Sequence, residues 1–208
     1  MSAREHITGK IGPDGFWNRP SAVVAPDLLG WRLTHVSDDG VVAVSLTEVE
    51  AYAGRADPAS HAFRGTTPRN EVMFGRPGRL YVYFSYGVHW CANVVVGPEG
   101  VASAVLLRAG RVVEGVELAR ARRGARTADR SLARGPACLT QALGIGREHD
   151  GADLLDGDVS LTLRYDQPPL AVSSGPRVGV SLAAATAWRF WVTGDVTVSS
   201  YRRSPRAP

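Results

Sequence analysis

Two glutamates at the end of an apolar strand are the residues best suited to acid–base chemistry. Glu48 and Glu50 follow the β-branched run 41–46 and precede Tyr52. Side chains two residues apart in a strand project from the same face, so both carboxylates can reach one site. A buried carboxylate beside an aromatic ring is a candidate general base, because burial raises the pKa of a carboxyl group. The alternative for either residue is a surface charge on a solvated strand face.

Aromatic residues dominate a second segment, residues 80–93, in the pattern of a hairpin. Tyr81 and Tyr83 alternate with apolar residues, as in a strand with two distinct faces. Tyr86 and Gly87 then suit a tight turn, and Asn93 is the one amide within the apolar run that follows. Aromatic hydroxyls beside a lone amide are suited to hold a flat heterocycle. An ordinary aromatic-rich hairpin is the alternative.

The elements that must position these residues are mostly strands joined by short turns. Strands are predicted at 41–52, 80–84, 90–96, 104–107, 159–163, 188–192 and 196–199. Helices are predicted at 26–30, 114–123 and 136–143, the last with Pro136 in its first turn and Gly144 after its end. Because the turns 86–89 and 97–100 are short, the strands that they join are antiparallel. The sequence therefore predicts an α+β fold, a curved antiparallel, open-barrel-like sheet with helices packed around it.

Length and charge suit one domain with a polyanionic partner. A chain of 208 residues fits a single domain, with a folded core from about residue 13 to 200 and mobile termini. The formal net charge of +4 and a pI near 9.4 favour a partner such as a nucleic acid. Arginine supplies nearly all of the positive charge, since Lys10 is the only lysine. The densest arginine clusters lie at 120–126 and 202–206, where a solvated helix face and a disordered end are the alternatives.

Several classes of protein are disfavoured by what the sequence lacks. Cys91 and Cys138 are too few for a disulfide framework, and the five histidines show no ligand spacing, so no metal is predicted. No glycine-rich phosphate loop is found, so no cofactor is predicted. The N-terminus lacks the apolar core of a signal peptide, and no apolar run approaches the ~20 residues that span a bilayer. We therefore expect a cytoplasmic protein without membrane contact, associated with the nucleoid if the source is bacterial.

The motifs also occur in one order and spacing along the chain. They are 47–52 (TEVEAY), 60–61 (SH), 67–70 (TPRN), 80–93 (LYVYFSYGVHWCAN), 105–108 (VLLR), 134–143 (RGPACLTQAL), 177–180 (RVGV) and 188–192 (WRFWV). This ordered set closely resembles the alkyladenine (3-methyladenine) DNA glycosylase family over roughly residues 20–200. The loop 63–66 is shorter than in some members of that family, which leaves the substrate range open.

The resemblance implies a monofunctional DNA glycosylase of base excision repair. Such an enzyme flips a damaged purine out of duplex DNA and hydrolyses its N-glycosidic bond. The expected substrates are alkylated or deaminated purines of the 3-methyladenine, 7-methylguanine, hypoxanthine and ethenoadenine class. A Schiff base and a lyase step are not expected, because Lys10 lies outside the motifs.

By the same resemblance, Glu50 is the general base and Glu48 its fallback. Arg108 positions Glu50 and the attacking water, or holds a neighbouring phosphate. Tyr52 and His61 form one wall of the base pocket, with Tyr83 on the other side. The remaining pocket residue is Asn93, whose amide excludes the 2-amino group of guanine.

The expected partner is damaged double-stranded DNA, bound by a monomer. Tyr86 is the wedge that fills the gap left by the flipped nucleotide, and Val88, His89 and Arg69 are further DNA contacts. Two other functions remain open at this stage: a non-catalytic nucleic-acid-binding or damage-sensing module, and a hydrolase of free nucleosides. The second would need neither Tyr86 nor the arginine clusters.

Overall fold

The computed structural model describes residues 15–85, 87–162 and 169–208. The predicted wedge Tyr86, the first dozen residues and the end of the strand predicted at 159–163 lie outside these ranges. In chain order the helices and strands are α1 (Ser21–Asp27), β1 (Arg32–Ser37), β2 (Gly40–Tyr52), β3 (Leu80–Ser85), β4 (His89–Val95), β5 (Ala104–Glu114), α2 (Val116–Arg123), α3 (Pro136–Leu143), β6 (Val159–Thr162), β7 (Val172–Gly175) and β8 (Arg189–Val192).

One long strand, β2, organises an antiparallel sheet with the order β3-β4-β5-β2-β1-β6. Along one edge β2 pairs with β5, and along the other its first half pairs with β1. Its second half, from Glu48 to Glu50, pairs instead with β8, which also pairs with β7. Because β2 changes partner part-way, the sheet curls into a half-barrel. The two glutamates therefore lie where β2 is paired with a neighbouring strand along both of its edges.

Two β-bulges interrupt the pairing of β2 with β5 beside the glutamates. Leu46 pairs with Gly110 and Glu48 with Ala109, which leaves Thr47 without a partner on β5. Glu48 pairs with Ala109 and Val49 with Leu107, which leaves Arg108 without a partner on β2. A bulge twists the strand and redirects the side chain of the extra residue. The second bulge therefore sits at the cation predicted to serve the site.

Helices cover the sheet and close a mainly aliphatic core. Pro136 begins α3, where its missing N–H costs nothing, and Gly144 follows it with φ +73°. α3 packs on β4, β5 and α2, and α1 packs on β2. The main core includes the fully buried Leu33, Leu46 and Leu107, while a smaller cluster around Met73 and Tyr81 lies next to the candidate site. No helix among the described residues is long and apolar enough to cross a membrane.

The α+β class and the curled antiparallel sheet are confirmed, and α3 has the predicted bounds. Three predicted elements were wrong in place or type: two helices, and the strand predicted at 196–199. The helix predicted at 26–30 lies instead at Ser21–Asp27, and Gly30 (φ +82°) ends the turn after it. The helix predicted from Glu114 begins at Val116, because β5 continues to Glu114. The strands β1 and β7 were not predicted.

The strand predicted at 196–199 is replaced by turns. The Asp195 carboxylate accepts hydrogen bonds from the backbone N–H and the hydroxyl of Thr197. Ser199 gives its N–H to Glu48. Side chains thus take the donors that a strand would offer to a neighbour, and such local bonds compete with sheet formation.

Candidate active site

A cavity of about 640 Å³ opens beside the ends of β2, β3, β4 and β5. Aromatic, apolar and cationic side chains share its lining. The lining residues are Tyr52, Pro58, Ala59, Ser60, His61, Arg69, Met73, Tyr81, Tyr83, Ser85, Cys91, Asn93, Leu106, Arg108, Pro136, Val178, Gly179, Val180, Ser181 and Leu182. Every predicted pocket residue is therefore among them, together with two of the predicted cations, Arg69 and Arg108.

Glu50 is fully buried directly behind this lining. The hydroxyl of Tyr52 donates to its Oε2 at 2.8 Å, and the backbone N–H of Val178 donates to its Oε1 at 2.7 Å. Arg108 places Nη1 3.4 Å from Oε2. Tyr52, Val178 and Arg108 present N–H or O–H groups, as an ionised carboxylate requires. All three line the cavity, so the carboxylate faces the cavity wall.

Glu48 is equally buried but has a different set of partners. Its Oε1 accepts from Arg108 Nε at 2.8 Å, from Arg189 Nε at 2.7 Å and from the Ser199 hydroxyl at 2.9 Å. Its Oε2 accepts the Ser199 N–H at 2.6 Å. Burial opposes the charge, but Arg108, Arg189 and the Ser199 amide outweigh burial and hold the pKa of Glu48 below its ordinary value. Four donors on one carboxylate are the environment of an anchor and not of a proton acceptor.

Arg108 lies between the two carboxylates and is itself almost fully buried. Burial would favour its neutral form, yet Glu50 and Glu48 outweigh burial and raise the pKa of the guanidinium above its ordinary value. Glu48 holds Nε while Nη1 faces Glu50, so the fork is fixed by one acid and turned toward the other. Arg108 is also the extra residue of the second bulge, and a bulge redirects the side chain of its extra residue.

The aromatic walls differ in one respect from the prediction. His61 and Tyr83 are in edge-to-face contact, with ring centroids 4.5 Å apart and planes at 80°. A base stacked between two rings needs a separation of about 7 Å, twice the contact distance of ~3.5 Å between carbon atoms. His61 and Tyr83 are therefore adjacent parts of one wall in this structure and not opposite faces of a slot. Tyr81 stacks on Tyr83 at 5.6 Å and extends this wall.

These aromatic groups are neutral at pH 7. Burial, and after it the neighbouring Glu50, raises the pKa of the Tyr52 phenol well above its ordinary value, and burial raises that of Tyr81 to about 12. Burial likewise raises the pKa of Tyr83, assisted by Cys91. His61 lies at the exposed rim, but packing on Tyr81 and Tyr83 desolvates its ring, and this effect together with Arg69 lowers its pKa.

Asn93 and Cys91 form the floor contributed by β4. The Asn93 amide donates to the carbonyl of Tyr81, its cross-strand partner, at 3.2 Å, so the side chain is held by the backbone. Cys91 is buried as predicted, and burial raises the pKa of its thiol. It also lines the cavity, a position that its apolar surroundings in the sequence did not indicate.

Of the predicted DNA contacts, Arg69 lines the cavity, and Val88 and His89 are exposed nearby in the chain. Arg69 lies over the ring of Tyr83 at 5.5 Å and donates to the carbonyl of Phe84. Val88 is 64% exposed and His89 is also exposed, in the hairpin between β3 and β4.

Comparison with known proteins gives the relationship directly. A family model described as Methylpurine-DNA glycosylase (MPG) matches residues 15–196. The chain belongs to the methylpurine-DNA glycosylase family. The resemblance noted in the sequence is thereby confirmed.

Three relatives show how far the similarity extends along this member of the methylpurine-DNA glycosylase family. A protein of Leifsonia xyli subsp. xyli is 55% identical over 193 residues, covering 89% of this chain and 90% of the relative. One of Streptomyces avermitilis is 52% identical over 196 residues, covering 92% of each. One of Frankia casuarinae is 50% identical over 214 residues, covering 97% and 98%. All three carry the name 3-methyladenine DNA glycosylase as a provisional assignment.

Sequence reasoning missed one group of site residues in this family member. Segment 178–182 lines the cavity, and Val178 binds Glu50, whereas the sequence marked 177–180 only as part of the resemblance. Asp57 was not singled out, although an Asp followed by Pro58 is a turn signal. Within the described ranges, no three His, Cys, Asp or Glu side chains are grouped so that they could hold a metal ion.

Proposed function

We propose that this protein is a monofunctional DNA glycosylase that hydrolyses the N-glycosidic bond of alkylated or deaminated purines in double-stranded DNA. The proposed substrates are of the 3-methyladenine, 7-methylguanine, hypoxanthine and ethenoadenine class. Membership of the methylpurine-DNA glycosylase family and the names of the relatives support the coarser part of this proposal. The observation that carries the finer part is the Glu50–Arg108 pair directly behind a cavity walled by neutral aromatic rings.

A base bonded within a duplex cannot reach Glu50, so the nucleotide rotates out into the cavity before reaction. An N-alkylated purine carries positive charge on its ring. Electron-rich aromatic rings in the cavity wall attract such a cation, by about 0.5–2 kcal/mol for each desolvated contact. Since the lowered pKa of His61 keeps this ring uncharged at pH 7, it does not repel the substrate. The walls therefore favour an alkylated purine over a normal one.

Glu50 then acts on a water placed against C1′ of the flipped nucleotide. Among the described residues, Oε1 of Glu50 accepts only the Val178 N–H, which leaves a lone pair for that water. As the bond from C1′ to the base nitrogen breaks, its electron pair leaves with the purine, which departs neutral if it was cationic. The water oxygen bonds to C1′, and its proton passes to Glu50. The negative charge of Glu50 stabilises the oxocarbenium-like transition state, and Arg108 keeps Glu50 in place.

Asn93 accounts for discrimination against normal guanine. Its amide is held by the Tyr81 carbonyl, so it cannot easily turn away from a larger base. A rigid polar group at the cavity floor then opposes the exocyclic 2-amino group of guanine. 7-Methylguanine carries the same group and is accepted because the attraction of its positively charged ring to the aromatic walls offsets this cost.

The hairpin between β3 and β4 supplies the contacts that keep the duplex open. We assign the gap-filling wedge to Tyr86, with Val88 and His89 beside it and Arg69 at the cavity rim. Unstacking costs a few kcal/mol for each base step, and an inserted side chain offsets part of that cost. No lyase step is proposed, because the chain has no lysine other than Lys10.

Single-turnover base release tests this function. Duplexes carrying ethenoadenine, hypoxanthine or an N-alkylated purine are incubated with excess protein, and the released base is measured. Glu50→Gln should keep lesion binding but lose at least ~10²-fold in rate, because the amide keeps the shape and lacks the charge and basicity. Glu99→Gln, at an exposed glutamate, is the matched control and should react as the wild type does.

Two results would contradict the proposal. Near-normal excision by Glu50→Gln would refute the mechanism and move the general base to Glu48. Tight lesion binding by the wild type without release of any base would identify a damage-sensing module.

A further inference from the structure

A second buried ion pair lies beside the active site and has no part in the chemistry described so far. Arg177 and Asp57 have side chains 0% and 1% exposed. Their contact is bidentate, with Nη1 2.5 Å from Oδ2 and Nη2 2.8 Å from Oδ1. Nη1 also donates to the carbonyl of Ala51 at 2.9 Å. Fork-to-fork pairs of this kind fix the relative orientation of both side chains.

This pair ties together three backbone segments, one that contains Glu50, one that donates to it and one that continues into the cavity wall. Ala51 follows Glu50 in β2, and Val178, which follows Arg177, donates to Glu50. Asp57 holds its own turn by accepting the N–H groups of Ala53 and Ala59. Gly54 (φ +57°) begins that turn, and its contact with the Ala102 carbonyl leaves no room for a Cβ. Pro58 to His61 then continue along the cavity wall.

The guanidinium of Arg177 also supports one wall of the cavity. It lies over the ring of Tyr52 at 4.7 Å and over that of Trp188 at 5.4 Å. Tyr52 donates its hydroxyl to Glu50. The ring is therefore held by Arg177 on its face and by the carboxylate of Glu50 at its hydroxyl. Replacing Arg177 by a side chain without a flat face changes the support of Tyr52 even if the charge is kept.

We propose that Arg177 and Asp57 form a positioning pair, which sets Glu50 for reaction through the Val178 N–H and the ring of Tyr52. This inference rests on the proposed function, because it assigns the pair to the glycosylase reaction at Glu50. Burying two charges is expensive, and well-packed apolar residues often replace such a pair without loss of stability. Its contacts with three cavity-forming segments account for the pair better than stability does.

The test compares Asp57→Asn and Arg177→Lys with the wild type in single-turnover excision at saturating protein. Both variants should bind lesion duplex within about threefold of the wild type, while the excision rate falls by roughly 10- to 100-fold, the range that a misplaced catalytic group produces. Arg177→Lys keeps the charge balance, so it decides the question if Asp57→Asn fails to fold.

Leu161→Ala is the control for a general loss of stability. Leu161 is buried in β6, at the other end of the sheet from β3 and β4, so this variant lowers the melting temperature without touching the cavity. The proposal is overturned if the excision rate of the pair variants matches that of this control at equal stability.

Hydrogen exchange at Val178 gives a readout that does not depend on activity. The proposal requires faster exchange of the Val178 amide in Arg177→Lys than in the wild type, and unchanged exchange overturns it. A wild type that releases no base would refute the proposed function, whereas an active wild type with unaffected pair variants would refute the positioning role alone.

Discussion

Glu48 and Glu50 are two residues apart on one strand, and their carboxylates differ in what they contact. Glu48 accepts hydrogen bonds from two arginines and from two groups of Ser199. Glu50 accepts hydrogen bonds from Tyr52 and Val178 and forms an ion pair with one nitrogen of Arg108. The sequence left both as candidate bases, because strand periodicity places them on one face. Their partners separate them, since those of Glu50 line the cavity and Glu48 lies behind Arg108.

Substitution of Asn93 tests the exclusion of guanine at the level of one side chain. Asn93→Ser should shorten the side chain, release the contact with the Tyr81 carbonyl and admit guanine-derived bases. We expect new excision products from duplexes carrying guanine lesions without a positive ring charge, which the wild type refuses, measured by chromatography of released bases. Ser85→Ala, which also alters a small polar residue of the lining, is the control. A variant that only slows the original reactions would show that Asn93 has no excluding role.

Individual site residues differ in how far the sequence could predict them. Glu50, Tyr52 and Asn93 stand in recognisable local patterns, an acid after an apolar strand and an amide within one. Asp57 and Arg177 are separated by 120 residues and lie outside the helices and strands, so no local period relates them. Their pairing follows from the chain path between β7 and β8, which residue spacing does not reveal.

Among the secondary-structure elements, those with a strong period were predicted well. The strands β2, β3 and β4 and the helix α3 have apolar patterns that agree with their surroundings. The two bulges could not be predicted, because a bulge depends on the partner strand as much as on the bulged one. That limit matters for function, since Arg108 lies at a bulge.

Two histidines link β1 to the loop that supports β3, and the hydrogen bonds of His35 fit its neutral form. His35 donates from Nδ1 to the carbonyl of Leu143 at 2.7 Å, so its Nε2 accepts from Nε2 of His149 at 3.2 Å. Nδ1 of His149 in turn accepts the N–H of Gly146 at 3.1 Å. A proton added to Nε2 of His35 would face the N–H of His149.

This arrangement predicts a loss of stability in mild acid. Burial first, and then His149 and Arg122, lower the pKa of His35, against the opposing effects of Leu143 and Asp158. Because the folded pKa lies below the unfolded value of about 6.5, the unfolded chain binds the proton first. The contribution of neutral His35 to the free energy of unfolding is fully present above about pH 6.5 and is lost as the pH drops toward the folded pKa. The free energy of unfolding then falls by up to ~1.4 kcal/mol per pH unit for each proton bound.

Urea unfolding between pH 5 and 7 measures this slope. His35→Gln should be less stable than the wild type at pH 7 but should show a smaller decline toward pH 5. His61, whose pKa is also lowered, keeps some decline in the variant. Identical slopes for the wild type and His35→Gln would show that the pair does not control the acid response.

Across the whole molecule, the arginines divide into those that hold the fold and those that face solvent. Arg120 and Arg123 in α2 bind backbone carbonyls and side chains around α3, including Asp129 and Gln141. These contacts hold the fold together, so Arg120 and Arg123 match neither a specific DNA contact nor the solvated helix face that was its alternative. Arg64 and Arg76 are exposed and form no ion pair within the described ranges. They follow the lining residues His61 and Met73 by three positions each.

The C-terminal arginine cluster at 202–206 is bonded to the active site, although its composition predicts a mobile end. The N–H of Gly179, in the cavity lining, donates to the carbonyl of Arg202 at 2.9 Å. Truncation before Arg202 would therefore disturb the active site as well as remove charge. Single substitutions such as Arg203→Ala and Arg206→Ala remove charge without removing the backbone, so they are the cleaner way to count phosphate contacts.

Salt dependence of duplex binding should distinguish the two classes of arginine. Each phosphate contact contributes about −0.9 to the slope of log affinity against log salt on B-form DNA. Arg64→Ala and Arg76→Ala should each flatten the slope by up to that amount and weaken damaged and undamaged duplexes alike. Saturated single-turnover excision should stay at the wild-type rate, because neither side chain lies in the cavity lining. Arg120→Ala is the matched control, and its slope should equal that of the wild type, since Asp129 already neutralises this guanidinium. A flatter slope for Arg120→Ala with no change for Arg64→Ala would move the DNA-binding face from the cavity rim to α2.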